Sequence, residues 1–562
     1  MARTDIQVTV EDHTNILPKR QVLIIITSLA ISLLISYIDQ NSITVILPKI
    51  GKDLSSIDTI QWAGTSSLIA NTVFQVFYGR VSDIFGRNVV LFASLASLAI
   101  GDLACGLART GPQLYVFRAI AGVGNGGINA LAMIIVSDIV TLEERGKYQG
   151  IIGCCVGVGS TIGPFFAAGF VETASWRSFF FVLAGLALAS SGLVYFVLPS
   201  KRLKDDTMTK LRKIDYAGGL LSSAMVIFLL IPISDGGTRL PWSSPTVICL
   251  LVFGLLCAGC FALVEYKVSA LPMIPPHLFK SLAVSVVLTQ NFLFGFVYYA
   301  SFYYLPMYYQ NVRRWSELES AALLVPIVIG QSITSVLSGQ YISRKKRYGE
   351  VLWFGYTLWT LAAGLRCSFD RHTSPVAIVF ILLLEGAGIG CIFQPTLIAA
   401  HAHSDPADRA IIIGIRNFVR LLGGATGLAT SAAIYSNTYR RYSRLLSAAS
   451  AATSSNSGNG TGAVDISLSM YVVPDLSLFT SGEVDILLSA YMRASRAVFI
   501  SWVPFIGVCL LSTIAIRDRG LSKPSPPQMA ESSMGTGNTS GDSNRMNHDN
   551  SNSNSNSNID AS

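Results

Sequence analysis

From about residue 22 to residue 516 the chain alternates long apolar runs with short polar joints. About twenty predominantly apolar residues suffice for a helix to cross a bilayer. Fourteen runs approach that length, near 22–45, 60–79, 89–108, 114–136, 149–171, 178–198, 214–234, 246–265, 282–306, 319–341, 350–367, 375–398, 411–435 and 497–516. Their continuity predicts helices rather than barrel strands. The expected chain is an all-α polytopic membrane protein with spans grouped six, two and six. Its parts are an N-terminal tail (1–21), a six-helix bundle (22–200), a linker with two extra helices (201–280) and a second bundle (281–517). A long loop at 436–496 interrupts the second bundle. Residues 518–562 are polar and Ser/Asn-rich; they cannot bury a core and are expected to be disordered.

Composition agrees with this pattern. Hydrophobic residues make up 51%, charged residues 13%, and mean hydropathy is +0.50, where soluble domains carry about a quarter charged residues. The net charge of +8 sits in loops, so nucleic acid is not an expected partner; the bilayer is. No signal-peptide pattern opens the chain, so the first span is expected to direct insertion. Lys201, Arg202, Lys204, Lys210, Arg212 and Lys213, Arg344 to Arg347, and Arg145 with Lys147 place both tails in the cytoplasm by the positive-inside bias. Lys49, Lys52, Arg313 and Arg314 oppose it. The loop 436–496 is then outside, with Asn459 in a glycosylation sequon, while the Asn538 sequon falls inside. All nine cysteines lie in apolar runs, including the Cys257/Cys260 pair, which suits packing rather than a disulfide framework.

Polar residues within the runs carry the candidate chemistry. Asp39, in Ser36-Tyr37-Ile38-Asp39-Gln40-Asn41, is costly in a span unless it meets a wet cavity or a partner, so it is a candidate for loading and releasing a proton. Arg118 is a full charge at the start of the fourth span, either near that pathway or snorkelling to an interface. Gly122 to Gly127 fits G-x-G-x-x-G, but its flanks are spans rather than a βαβ unit, so close helix packing is expected. Thr141 and Glu144 have capping-box spacing. Gln290, Asn291 and Tyr298 with its neighbouring tyrosines suit either a ligand cavity or an interfacial belt. Gln394 and Glu385 lie in the twelfth span. Arg416 and Arg420 fall near the cytoplasmic surface, where snorkelling accounts for them. No metal cluster, nucleophile triad or Walker-type loop is present in the sequence, so an enzyme, a metal or a cofactor is not expected.

Several stretches resemble one family. Gly79-Arg80-Val81-Ser82-Asp83-Ile84-Phe85-Gly86-Arg87 resembles the Gly-x-x-x-Asp-x-x-Gly-Arg signature of the major facilitator superfamily, which implies a cytoplasmic latch. Gly159-Ser160-Thr161-Ile162-Gly163-Pro164 resembles the G-x-x-x-G-P run of its antiporter branch, with Ala167-Ala168 in place of a closing Gly-Gly. Asp39 followed by Leu47-Pro48 resembles the first helix of the fourteen-span drug:proton antiporters. The resemblance covers roughly residues 22–520. It implies two six-helix bundles plus two extra helices, rocking about a central cavity, and proton-driven export of drugs, toxins or secondary metabolites by a monomer, expected in the plasma membrane. In that reading Asp39 carries the proton, Arg118 modulates it, Glu385 is the reserve candidate, and Gln40, Asn41, Gln290, Asn291, Tyr298 and Gln394 line the cavity. A vacuolar transporter of basic amino acids is the alternative.

Overall fold

The computed structural model describes residues 18–56, 59–60, 62–198, 216–235, 244–267, 274–405, 408–454, 481–518 and 520–521. The basic link at 201–213, Trp242, Pro272, both sequon asparagines and most of the two tails lie outside the described residues.

The first bundle is α1 (Lys19–Asp53), α2 (Trp62–Phe85), α3 (Arg87–Leu107), α4 (Gly111–Ile139), α5 (Leu142–Thr173) and α6 (Trp176–Val197). Next come α7 (Tyr216–Asp235) and α8 (Pro245–Lys267). The second bundle holds α9 (Leu282–Asn311), the short α10 (Glu317–Ala322), α11 (Val325–Lys345), α12 (Gly349–Arg366), α13 (Pro375–Phe393), α14 (Pro395–Ala402), α15 (Arg409–Ser454) and α16 (Ser481–Ser512).

The two bundles repeat one packing plan. In the first, α2 and α3 pack on α4, α5 and α6 on α1, and α6 on α3. In the second, α11 and α12 pack on α13, α15 and α16 on α9, and α16 on α12. The seams between them match as well, α5 against α11 and α2 against α15. The pair α7 and α8 packs on itself and reaches both bundles through α7, which touches α2 and α15.

Ten of the described helices are long and apolar enough to cross a membrane. The fourteen expected from the sequence also require α2, α7, α11 and α12, which fall short of that standard. The reason in α2 and α11 is where their polar residues point. Asn71, Gln75, Gln331 and Ser335 are buried in helices that line the seams, so interior polarity lowers the apolarity of the run without exposing it to lipid.

Boundaries shift where local chemistry dictates. The expected span at 375–398 breaks at Gln394, which caps α14 ahead of Pro395, because proline cannot donate the next helical bond. Thr141 caps α5, but its side chain makes no capping bond, so the capping box is not formed. Helix α15 runs 46 residues, about 69 Å at 1.5 Å per residue. That exceeds the bilayer core, so its C-terminal part occupies the start of the stretch expected to be loop.

Candidate functional site

Asp39 is buried on α1 with almost no exposure (1%). Arg118 Nη1 on α4 donates to Asp39 Oδ1 at 2.5 Å. One helical turn and three residues along α4, Asn125 Nδ2 donates to Asp39 Oδ2 at 2.7 Å. Arg118 is equally buried, so it does not snorkel; the Phe180 ring lies 5.9 Å from its guanidinium carbon. A second carboxyl shares this cation. Asp102 on α3 is fully buried, with Oδ1 3.7 Å from the same Nη1. Neither of its oxygens has a hydrogen-bond partner among the described residues.

A single-file chain of hydrogen bonds leads from Asp39 to a cavity. Gln75 Nε2 donates to Asn71 Oδ1 at 2.9 Å, and Asn71 Nδ2 to Gln40 Oε1 at 2.9 Å. Gln40 Nε2 donates to Ser36 Oγ at 3.0 Å, and Ser36 Oγ to Asn125 Oδ1 at 2.7 Å. Every donor points the same way, ending at the Asp39 carboxylate, so the bonds polarise one another in a medium of low dielectric.

The cavity has a volume of about 190 Å³ and lies between the bundles. From the first bundle it is lined by Tyr37, Gln40, Asn41, Ser67, Asn71, Gln75, Arg118, Asn129 and Ser160, and from the second by Tyr298, Tyr299, Phe302, Phe393 and Arg420. No aspartate or glutamate is among its lining residues. Arg420 is buried, as is Arg416 one turn away on α15; neither reaches a surface, which corrects the expectation of snorkelling. Arg416 Nε donates to Asn291 Oδ1 at 3.1 Å, and its Nη2 donates to the Phe393 carbonyl. Arg420 Nη2 donates to Asn417 Oδ1 at 3.1 Å, and its guanidinium lies 4.4 Å from the Phe393 ring centroid. Its Nε and Nη1 have no hydrogen-bond partner among the described residues. Neither arginine forms an ion pair among the described residues.

Of the residues expected in the cavity, Gln40, Asn41 and Tyr298 line it and Gln290, Asn291 and Gln394 do not. Gln290 instead ties α9 to the end of α16, donating to the Cys509 carbonyl at 3.0 Å. Asn291 positions Arg416, and Gln394 turns toward Met133 Sδ at 3.8 Å. Glu385 lies far along α13 in a pair of its own. Arg366 Nη1 sits 2.8 Å from each of its carboxylate oxygens, and Trp359 Nε1 donates to Oε1 at 3.3 Å. The Arg366 guanidinium also faces the Trp502 ring at 4.7 Å. One acid meets one cation there, and both are fully buried.

The Gly159/Gly163 face of α5 lies on α1 beside Asp39. A Cβ on Gly163 would stand 3.0 Å from the Ile38 carbonyl oxygen, so α1 and α5 approach at backbone distance. Pro164 lies inside α5 without ending it.

The 79–87 stretch closes one end of the seam. Arg87 pairs with Asp83 at 2.6 Å and with Asp138 at 2.9 Å. Burial pushes the Asp83 carboxyl above its usual range, with Arg87 pulling it back. Gly86 has φ of 91°, a backbone region that side chains avoid, and this turn lets α3 start one residue after α2 stops. Gly79 faces the Ala410 carbonyl of α15, 3.3 Å from where a Cβ would be. The second bundle's equivalent turn lacks the aspartate. There Gly349 N donates to Asp518 Oδ2 at 3.0 Å, and Leu521 N to the Lys346 carbonyl at 2.9 Å, so the segment that follows α16 supplies a carboxylate to this turn. Lys346 also pairs with Glu143 across the seam.

Sequence reasoning missed Asp102, the Ser67/Asn71/Gln75 stripe and the cavity role of Arg420. The stripe was visible as polar residues at i, i+4 and i+8 in an apolar run; Asp102 was visible as a lone acid in the third span.

Comparison with known proteins agrees with this architecture. The sequence profile of the Major Facilitator Superfamily matches residues 29–428. Citrate exporter 1 of Yarrowia lipolytica is 44% identical over 510 residues, covering 91% of this chain and 74% of that one. MFS-type transporter clz4 of Cochliobolus lunatus is 36% identical, covering 78% and 79%. Efflux pump dotC of Dothistroma septosporum is 29% identical, covering 84% and 81%. Among solved structures, the human organic anion transporter MFSD10 superimposes with a TM-score of 0.58 at 14% identity, covering 88% of this chain and all of that one, a likeness of fold. With the repeated bundles, the seam cavity and these relatives together, the chain belongs to the Major Facilitator Superfamily and is a multi-pass membrane transporter of organic compounds, not an enzyme.

Proposed function

We propose that this protein exports small organic anions of the di- and tricarboxylate class, citrate among them, in a proton-linked cycle. The observation that carries this reading is Arg420. This buried cation lines a cavity whose lining includes no carboxylate, keeps two N–H groups without partners among the described residues, and has a second buried cation, Arg416, one turn away on α15. Buried charge is costly unless it is paired, and the carboxylates of a substrate are the pair this site lacks. Guanidinium groups bind carboxylates by parallel hydrogen bonds. The Asn, Gln and Tyr groups around them are suited to hydroxyl and carboxylate oxygens. The similarity to a citrate exporter supports the same class. A basic amino acid or a cationic drug would add positive charge to this cavity, which weighs against both.

Proton linkage is assigned to Asp39 and Arg118, with the 79–87 turn and the α1–α5 face as parts of the rocking machinery. A cationic substrate could displace a proton from a cavity carboxylate, which gives antiport. For an anion the sign reverses: protonating the buried acids removes negative charge near the substrate and strengthens its binding. The proton therefore travels with the anion, and export runs down the anion's own outward gradient and the inside-negative membrane potential rather than down the proton gradient. Export from the cell calls for the plasma membrane.

Ligand-induced thermal stabilisation of the purified protein tests the substrate class, since a ligand that binds only the folded state raises its stability. Citrate and tricarballylate are expected to raise the unfolding temperature in a saturable way, and lysine and ethidium to leave it unchanged. Stabilisation by the cations alone would overturn the reading.

A further inference from the structure

We infer that Asp102 holds the proton in the buried charge cluster of the first bundle, sharing it with Asp39 across Arg118. This rests on the proton linkage proposed above and names its chemical seat.

The argument is one of charge and hydrogen bonds. The cluster has two carboxyls and one guanidinium, all buried. Asp39 is fully compensated: Arg118 donates to one oxygen at 2.5 Å and Asn125 to the other at 2.7 Å. Among the described residues Asp102 has the long 3.7 Å approach to the nitrogen that Asp39 already holds, and none of them donates a hydrogen bond to either of its oxygens. An ionised, uncompensated carboxylate in a dry interior is expensive, and a neutral acid is the form such a site keeps. The second bundle provides the contrast. There Glu385 faces one arginine, one for one, and that pair is neutral without a proton.

Asp102 faces Asp39 from α1 and Arg118 from α4; Cys105 is its titratable neighbour on α3. From α6 it is Phe180 that lies over Arg118. Among the described residues, Asp39 is therefore the second carboxyl of the cluster, placed to take or return the proton across Arg118. Arg118 also lines the cavity, which gives water a way in. When the cavity is wet, the Asp102 O–H breaks, the proton passes to water and the carboxylate competes with Asp39 for Arg118. When the cavity dries, water returns the proton and Arg118 goes back to Asp39. The chain from Gln75 to Asn125 ends on Asp39, so a substrate that draws on Gln40 or Asn71 weakens the Asn125 bond. That makes protonation of the pair more favourable.

The test uses the full-length protein in proteoliposomes with the membrane potential clamped. Wild type is expected to accumulate citrate on the alkaline side of an imposed pH gradient. Asp102→Asn is expected to lose that accumulation while still exchanging labelled for unlabelled citrate across the membrane. Absence of gradient-driven accumulation in wild type would defeat the proton linkage itself. Full accumulation by Asp102→Asn would leave the linkage standing and overturn this inference. Infrared difference spectroscopy separates the two acids and needs no transport. Wild type should show the C=O stretch of a protonated carboxylic acid that is missing from Asp102→Asn. Asp102→Glu should shift that band and Asp39→Glu should leave it in place. A band that moves with Asp39→Glu instead would put the proton on Asp39 and refute the assignment.

Discussion

Replacing Glu385 by glutamine separates structural charge from transported charge. The carboxylate receives Arg366 Nη1 at 2.8 Å on both oxygens and Trp359 Nε1 at 3.3 Å, and neither member of the ion pair is exposed. Glutamine keeps one acceptor oxygen but leaves the arginine charge uncompensated. Breaking a buried pair by removing one partner costs about 3–5 kcal/mol. The aromatic faces of Phe499 and Trp502 beside Arg366 soften the loss, so the low end, about 3 kcal/mol, is expected. The pair replaced together, Arg366→Met with Glu385→Leu, removes both charges and should recover most of that loss. Unfolding followed by intrinsic fluorescence in detergent, with citrate exchange in liposomes, measures both consequences. Glu385→Gln should melt well below wild type, and the double variant should melt near it and exchange citrate. If Glu385→Gln melts with wild type yet loses proton-driven accumulation, Glu385 is a carrier and the one-for-one charge argument fails.

Other substitutions probe the seam. Gly86→Ala places a Cβ at φ of 91° and should destabilise by about 1–3 kcal/mol, read as a lower melting temperature; an unchanged melt would mean that the turn relaxes at no cost. Asp83→Asn leaves Arg87 with Asp138 alone, so the protein should insert and fold normally but transport citrate more slowly; wild-type rates would reduce this turn to a connector. A Cβ at position 339 would stand 2.2 Å from the Gly146 carbonyl oxygen, so Gly339→Val cannot fit without moving α11 away from α5. It should hold the seam open and make a cysteine placed in the cavity accessible from the Lys346 side; labelling no faster than wild type would contradict this.

Much of the fold was legible because a bilayer imposes a single length and a single hydrogen-bonding rule on every span. The 79–87 and 159–164 runs stood out because their glycines recur where backbones meet or turn. Asp39 and Arg118 stood out because a charge in an apolar run has few acceptable explanations, and the ion pair at 2.5 Å is one of them. The rest depended on three-dimensional placement. Gln290 and Tyr298 lie two turns apart on α9, yet one is tied to α16 and the other lines the cavity; periodicity gives the face only after the neighbours are known. Arg416 and Arg420 looked like surface residues because they follow a polar joint, but α15 enters the seam directly from that joint and carries them inward. The sign of the cavity charge was therefore hidden until both bundles were in place.

Anion selection in the proposed cycle runs through Arg420. The most direct measurement is the initial rate of labelled citrate transport in proteoliposomes carrying wild type or Arg420→Gln, with labelled lysine as the comparison. A charge-assisted hydrogen bond is worth about 1.5–3 kcal/mol, or about 10- to 150-fold in affinity. Wild type should transport citrate saturably and lysine not at all, and Arg420→Gln should raise the KM for citrate by about that factor. Saturable lysine transport by wild type, with a citrate rate at the level of empty liposomes, would contradict the account.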